Sequence, residues 1–144
     1  MSQIEQMTPP EAYEALRGDA TAALVDVRTK PEWSFVGIPD LRSTGNRMAL
    51  AEWRSYPDMS VNPTFVEDVT AELGGTLPDT ILFICRSGAR SDDAARAVSQ
   101  TAEQAGISVR CINVAEGFEG DLDSDAHRGS MNGWKAHSLP WRQT

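Results

Sequence analysis

Cysteine and histidine occur only twice each in this chain of 144 residues, and positive charge is scarce, with 13 Lys and Arg against 21 Asp and Glu. Two cysteines are too few to staple a small secreted scaffold, so a reducing compartment is expected. The two histidines, His127 and His137, have no ligand-like spacing to each other or to Cys85, so no metal site is expected. A formal charge of −8 excludes a broad electrostatic grip on nucleic acid or on an anionic membrane. Any anion handled by such a protein must meet a local cluster of positive groups. Long hydrophobic runs are missing too: the strongest, Ile81-Leu82-Phe83-Ile84-Cys85, falls far short of the roughly 20 residues that span a bilayer. Residues 1–6 carry neither the basic start nor the apolar stretch of a secretory signal, and the expectation is a cytoplasmic protein without nucleic-acid or membrane partners. What is present, 40% hydrophobic and 24% charged residues, is enough for one ordinary core, which predicts a single domain over residues 1–144.

The local patterns alternate between strand and helix. Thr8-Pro9-Pro10-Glu11 supplies a capping hydroxyl, proline in the first turn and a glutamate three residues after the cap, so a helix starts there. Ala22 to Val27 reads as a buried strand running into a loop at Arg28-Thr29-Lys30-Pro31. Ser43 to Asn62 has weak periodicity and reads as an excursion outside the core. Phe65, Val66, Val69 and Leu73 form a helical stripe that Gly74-Gly75 stops. Thr80 to Cys85 is the most apolar strand and belongs at the centre of a sheet covered on both faces. A helix follows over Asp92 to Gln104, with Ser91 as its cap and Gly106 as its terminator, and then a strand over Val109 to Val114. Residues 120–133 read as a polar surface loop, and a short helix is expected near Trp134 to Leu139. This alternation predicts an α/β fold with a central parallel sheet and helices on both faces, which binds ligands at the carboxyl ends of its strands.

The chemistry concentrates in Cys85-Arg86-Ser87-Gly88-Ala89-Arg90. A thiol here ends a buried strand and is followed by a short glycine-containing loop and a helix N-terminus. Curving backbone N–H groups, the positive end of the helix and the guanidinium groups of Arg86 and Arg90 all favour thiolate over thiol. Cys111 lies inside an apolar strand with no such loop and is expected in the core. Asp26 and Arg28, at the carboxyl end of another strand, are candidates to support the loop or to form an internal ion pair.

These residues resemble a single-domain rhodanese of the sulfurtransferase family. Asp26-Val27-Arg28 with Glu32-Trp33 is similar to the family's first signature, and Ile38-Pro39 falls in its turn; Cys85 to Ser91 matches its active-site loop. Asn113-Val114 with Gly117 fits its strand-then-glycine segment, and Gly133-Trp134 with Leu139-Pro140 fits its end. The chain departs from the pattern at Gly37 and Asp40, where the family has His and Gly, and at Phe118, which replaces a glycine. The resemblance implies a rhodanese-like fold and a two-step transfer. Cys85 takes the outer sulfur of an anionic donor such as thiosulfate as a persulfide and passes it to a thiol, a cyanide-like nucleophile or a protein acceptor. It implies no cofactor, and a protein sulfur donor is equally compatible with it.

Two other readings are open. A cysteine phosphatase shares the thiolate, the N–H cradle and an arginine at the loop's end, but related phosphatases use a loop one residue longer than the four residues between Cys85 and Arg90. A non-catalytic module would use the fold only to bind partners, with Trp53, Trp134 and Trp141 as a docking surface if they are not packing residues.

Overall fold

The structure, a computed structural model, describes residues 4–143. Strands β1 (Glu5–Met7), β2 (Ala23–Asp26), β4 (Met48–Leu50), β7 (Thr80–Ile84) and β8 (Arg110–Val114) form a parallel sheet in the order β1-β8-β7-β2-β4. The most apolar strand is central, as its composition demands, because β7 has no solvent-facing side. Alternate residues serve two cores. Ile81, Phe83 and Cys85 pack with Val69 of α3 (Phe65–Glu72) and with Ala94, Ala95 and Val98 of α4 (Ala89–Gln104). Leu82 and Ile84 pack on the other face with Ala12 and Leu16 of α1 (Pro9–Gly18) and with Phe118 and Trp134. Helices therefore cover both faces, and β7 leads directly into Cys85 at the carboxyl edge on the α4 side.

The expected cap of α1 forms: the Thr8 N–H donates to the Glu11 carboxylate at 2.8 Å, and the Glu11 N–H donates back to the Thr8 hydroxyl. Several expectations need correction. The excursion read over residues 43–62 contains a core strand, β4, in register with β2 from Leu24 and Met48 to Asp26 and Leu50. It escapes notice because it is three residues long at the sheet edge and buries only Ala49 fully. The same segment holds a small hairpin of β5 (Arg54–Ser55) and β6 (Ser60–Val61). Thr29-Lys30-Pro31 does not continue a loop but opens α2 (Lys30–Val36), with proline in its first turn and the Thr29 N–H and hydroxyl donating to Glu32. Trp134 to Leu139 is a run of turns, because Ser138 has φ 60° and the chain must reverse before β9 (Trp141–Arg142) pairs with β3 (Ile38–Pro39). No helix among the described residues is long and apolar enough to cross a membrane.

Candidate active site

Cys85 directly follows β7 and its side chain is buried. Its Sγ accepts a hydrogen bond from the Gly88 N–H at 3.1 Å and lies 3.2 Å from the Ser91 hydroxyl. Gly88 caps α4 with φ 115°, and a Cβ there would come within 2.9 Å of the Ala115 carbonyl oxygen, so the loop can turn back over the sulfur only at a glycine. Ser91 is not the cap that spacing suggests: it lies one turn further in, fully buried, directed at the sulfur and at Asn113.

The loop is clamped from behind by the turn after β8. The Phe118 N–H donates to the Cys85 carbonyl at 2.8 Å, and the N–H groups of Glu119 and Gly120 both donate to the Arg86 carbonyl at 3.0 Å. Gly117 permits this approach: its φ is 72°, and a Cβ would sit 2.5 Å from the Arg86 carbonyl oxygen. Phe118, noted in the sequence only as a departure, sits in the core beneath the loop with the Arg28 guanidinium 4.3 Å above its ring centre.

From the front the loop is held by an ion pair. Arg90 directs Nη1 and Nη2 at the two oxygens of Glu32, at 2.8 and 3.0 Å, tying α4 to α2. Burial opposes ionisation of Glu32, but the Arg90 hydrogen bonds and charge, with the Thr29 donors, outweigh it and hold the carboxyl at about 2. Arg90, expected to favour the Cys85 thiolate, is thus already answered by a carboxylate. Arg86 is exposed and has no side-chain partner among the described residues, which leaves it as the loop's free cation. Ser87 and Ala89 complete the turn between them.

Asp26 and Arg28 form a fully buried bidentate pair, with Arg28 Nη2 2.6 Å from Asp26 and 2.7 Å from the Gly37 carbonyl. Their hydrogen bonds brace β2 against the turn before β3, and they reach the loop through the packing of Arg28 on Phe118 and the charge interaction of Asp26 with Arg90. Cys111 is a core residue whose thiol burial pushes up to about 12, so it offers no second nucleophile near neutral pH. His127 is exposed in a turn closed by Asp123, and His137 pairs with Glu116 at 2.8 Å. Among the described residues no group of three or more His, Cys, Asp or Glu is placed to hold a metal. Trp134 is buried with its indole N–H on the Pro140 carbonyl, Trp53 packs edge-on against Phe65, and Trp141 lies under the Lys135 ammonium. Trp134 and Trp53 are packing residues, Trp141 stays 39% exposed, and the three are spread over different contacts.

Comparison with known proteins places this geometry in a family. The model of the rhodanese-like domain matches residues 8–123. The crystal structure of Rv0390 from M. tuberculosis is similar at 43% identity and a TM-score of 0.81, covering 99% of this chain and 100% of that one. An uncharacterised protein of Rickettsia rickettsii is 32% identical over 139 residues, 96% of this chain and 98% of its own. The solution structure of the polysulfide-sulfur transferase homodimer of Wolinella succinogenes shares the fold, with a TM-score of 0.58 at 21% identity, covering 98% of this chain and 80% of that one. Matched across most of its length, and folded so that its one loop cysteine stands at the carboxyl edge of a parallel sheet, the chain belongs to the rhodanese-like domain family.

Proposed function

We propose that the chain works as one rhodanese-like domain and is a sulfurtransferase, moving a sulfane sulfur from a small anionic donor such as thiosulfate to a thiophilic acceptor through a Cys85 persulfide. The observation that carries this reading is the receptor built around one sulfur atom: the Gly88 N–H and the Ser91 hydroxyl converge on Cys85 Sγ at 3.1 and 3.2 Å. In the first step the Cys85 thiolate attacks the outer sulfur of thiosulfate; the new S–S bond forms as the donor's own S–S bond breaks, and sulfite leaves with the electron pair. In the second step a thiol or cyanide-like nucleophile attacks the terminal sulfur, and the Cys85 thiolate departs unchanged. Neutral donors aimed at the sulfur stabilise anionic sulfur in both states. Arg86 attracts the donor against the net charge of −8, while Arg90 holds the loop through Glu32.

Intact-protein mass spectrometry after mixing the reduced protein with thiosulfate tests the reading. A gain of one sulfur atom, removed by cyanide and absent in Cys85→Ser, is the expected result. No adduct in the unmutated protein, or an adduct that persists in Cys85→Ser, overturns it; hydrolysis of an aryl phosphate would then support a phosphatase, and neither activity a binding module.

A further inference from the structure

Behind the sulfur runs a chain of side-chain hydrogen bonds whose direction is fixed at its far end. The Asp92 carboxylate can only accept, so Gln6 presents Nε2 to it at 2.8 Å and turns Oε1 towards Asn113. Asn113 therefore donates from Nδ2 to Gln6 Oε1 at 2.9 Å and to the Gly88 carbonyl at 3.1 Å, which leaves its Oδ1 facing the Ser91 hydroxyl at 2.6 Å. Ser91 and Asn113 are both buried. The Ser91 hydroxyl has one proton and three acceptors within reach: Asn113 Oδ1, Cys85 Sγ and the Gly88 carbonyl. While Cys85 is a thiol, Ser91 satisfies Asn113 and can itself accept from the S–H. When Cys85 ionises, the sulfur, already bonded by the Gly88 N–H, competes with Asn113 for the Ser91 proton, and a turn of that proton to the sulfur leaves Asn113 Oδ1 facing an oxygen with no proton between them.

We propose that Asn113 is a positioning residue that limits the thiolate fraction of Cys85 by competing with the sulfur for the single Ser91 proton. The proposal rests on the reading of Cys85 as a thiolate nucleophile, but its test needs no sulfur donor and so stands or falls apart from sulfur transfer. The charges facing Cys85 do not run through this relay: Arg90 is paired with Glu32, Asp26 with Arg28, and Arg86 lies on the exposed side of the loop. Asp92 acts only at the relay's far end, where it also binds Arg96.

The measurement is the rate of iodoacetamide alkylation of Cys85 at pH 7 relative to its alkaline plateau, located by peptide mapping. Loss of the donor in Ser91→Ala should lower the thiolate fraction about tenfold, whereas loss of the competitor in Asn113→Ala and Asn113→Leu should raise it about threefold. Ser91→Thr, which keeps a hydroxyl, should restore it. On this proposal Asn113 acts on the sulfur through the Ser91 proton, while its second bond, to the Gly88 carbonyl, only holds the loop, so the double variant Ser91→Ala/Asn113→Ala should match Ser91→Ala alone. Purely structural damage would move both single variants the same way. Asn113 variants that lower the fraction, or a double variant whose effects simply add, overturn the proposal. In the unmutated protein, the side-chain carbonyl carbon of Asn113 should shift in step with Cys85 ionisation by NMR; an invariant resonance overturns it without any substitution.

Discussion

Replacing Glu32 by Gln separates the two things this carboxylate does. Glu32 accepts both donors of Arg90, and the two side chains are only 21% and 18% exposed. A carboxyl held at about 2 instead of its ordinary 4.5 contributes about 3 kcal/mol of folding stability at neutral pH. Residual solvent exposure trims this to about 2 kcal/mol. The sign follows from the depressed folded value: the contribution is complete above about pH 4.5 and drains away as pH falls towards 2, with about half gone by pH 3. Urea denaturation of the native protein and of Glu32→Gln across this range should show a gap of about 2 kcal/mol at pH 7 that narrows as the solution is acidified. The same substitution frees Arg90 to meet an anion, so the KM for thiosulfate should fall while stability falls. A gap that stays constant down to about pH 3, or no gap at pH 7, refutes the assignment of the ion pair as the clamp between α2 and α4.

Arg86→Ala removes an exposed cation without side-chain partners, so the KM for thiosulfate should rise about fivefold to tenfold with thermal stability unchanged; an unmoved KM would show that donor capture does not use it. Gly117→Ala forces a Cβ to within 2.5 Å of the Arg86 carbonyl oxygen at a φ of 72°, so it should destabilise the protein by about 1–3 kcal/mol and suppress sulfur loading of Cys85; a stable, fully active variant would show that the rear clamp is dispensable.

The parts of the fold legible in the sequence are those where one local rule acts alone. The β7 strand is apolar on both faces, and α1 carries a complete cap, so composition and spacing identify both. The sequence misleads where local and tertiary demands coincide at one residue. Glu32 closes the first turn of α2 on Thr29 and also pairs with Arg90, but α2 buries none of its residues and so has no apolar stripe to read. Ser91 has the composition of a cap, but the left-handed turn at Gly88 starts α4 earlier and places Ser91 inside it, against the sulfur. The first strand goes unread for a related reason: Glu5-Gln6-Met7 is polar at the sheet edge, and its Gln6 matters through a bond to Asn113 more than 100 residues away. The cysteine loop itself was legible because its residues are contiguous; the groups that hold it come from α2, β8 and the turn at 117–120, which only topology brings together.

Under the proposed sulfurtransferase function, the ion pairs account for anionic sulfur being held without reliance on net charge. Both inward arginines are committed: Arg28 to Asp26 and Gly37, and Arg90 to Glu32. Breaking either pair would leave a charge uncompensated in a poorly solvated place, so these cations are fixtures of the scaffold. The groups in hydrogen-bond contact with the sulfur are neutral, one N–H at the start of a helix of 16 residues and one hydroxyl, while the charge of Arg90 acts on Cys85 through space. Such neutral donors need no counter-charge and act over a single bond length, so on the proposed function they would serve thiolate and persulfide alike without attracting unrelated anions. The proposed function thereby divides capture and chemistry between different groups, an exposed guanidinium at the rim and a buried pair of dipoles beneath it. The division places the control of reactivity in the buried pair, where Asn113 can reach the Ser91 proton and the solvent cannot.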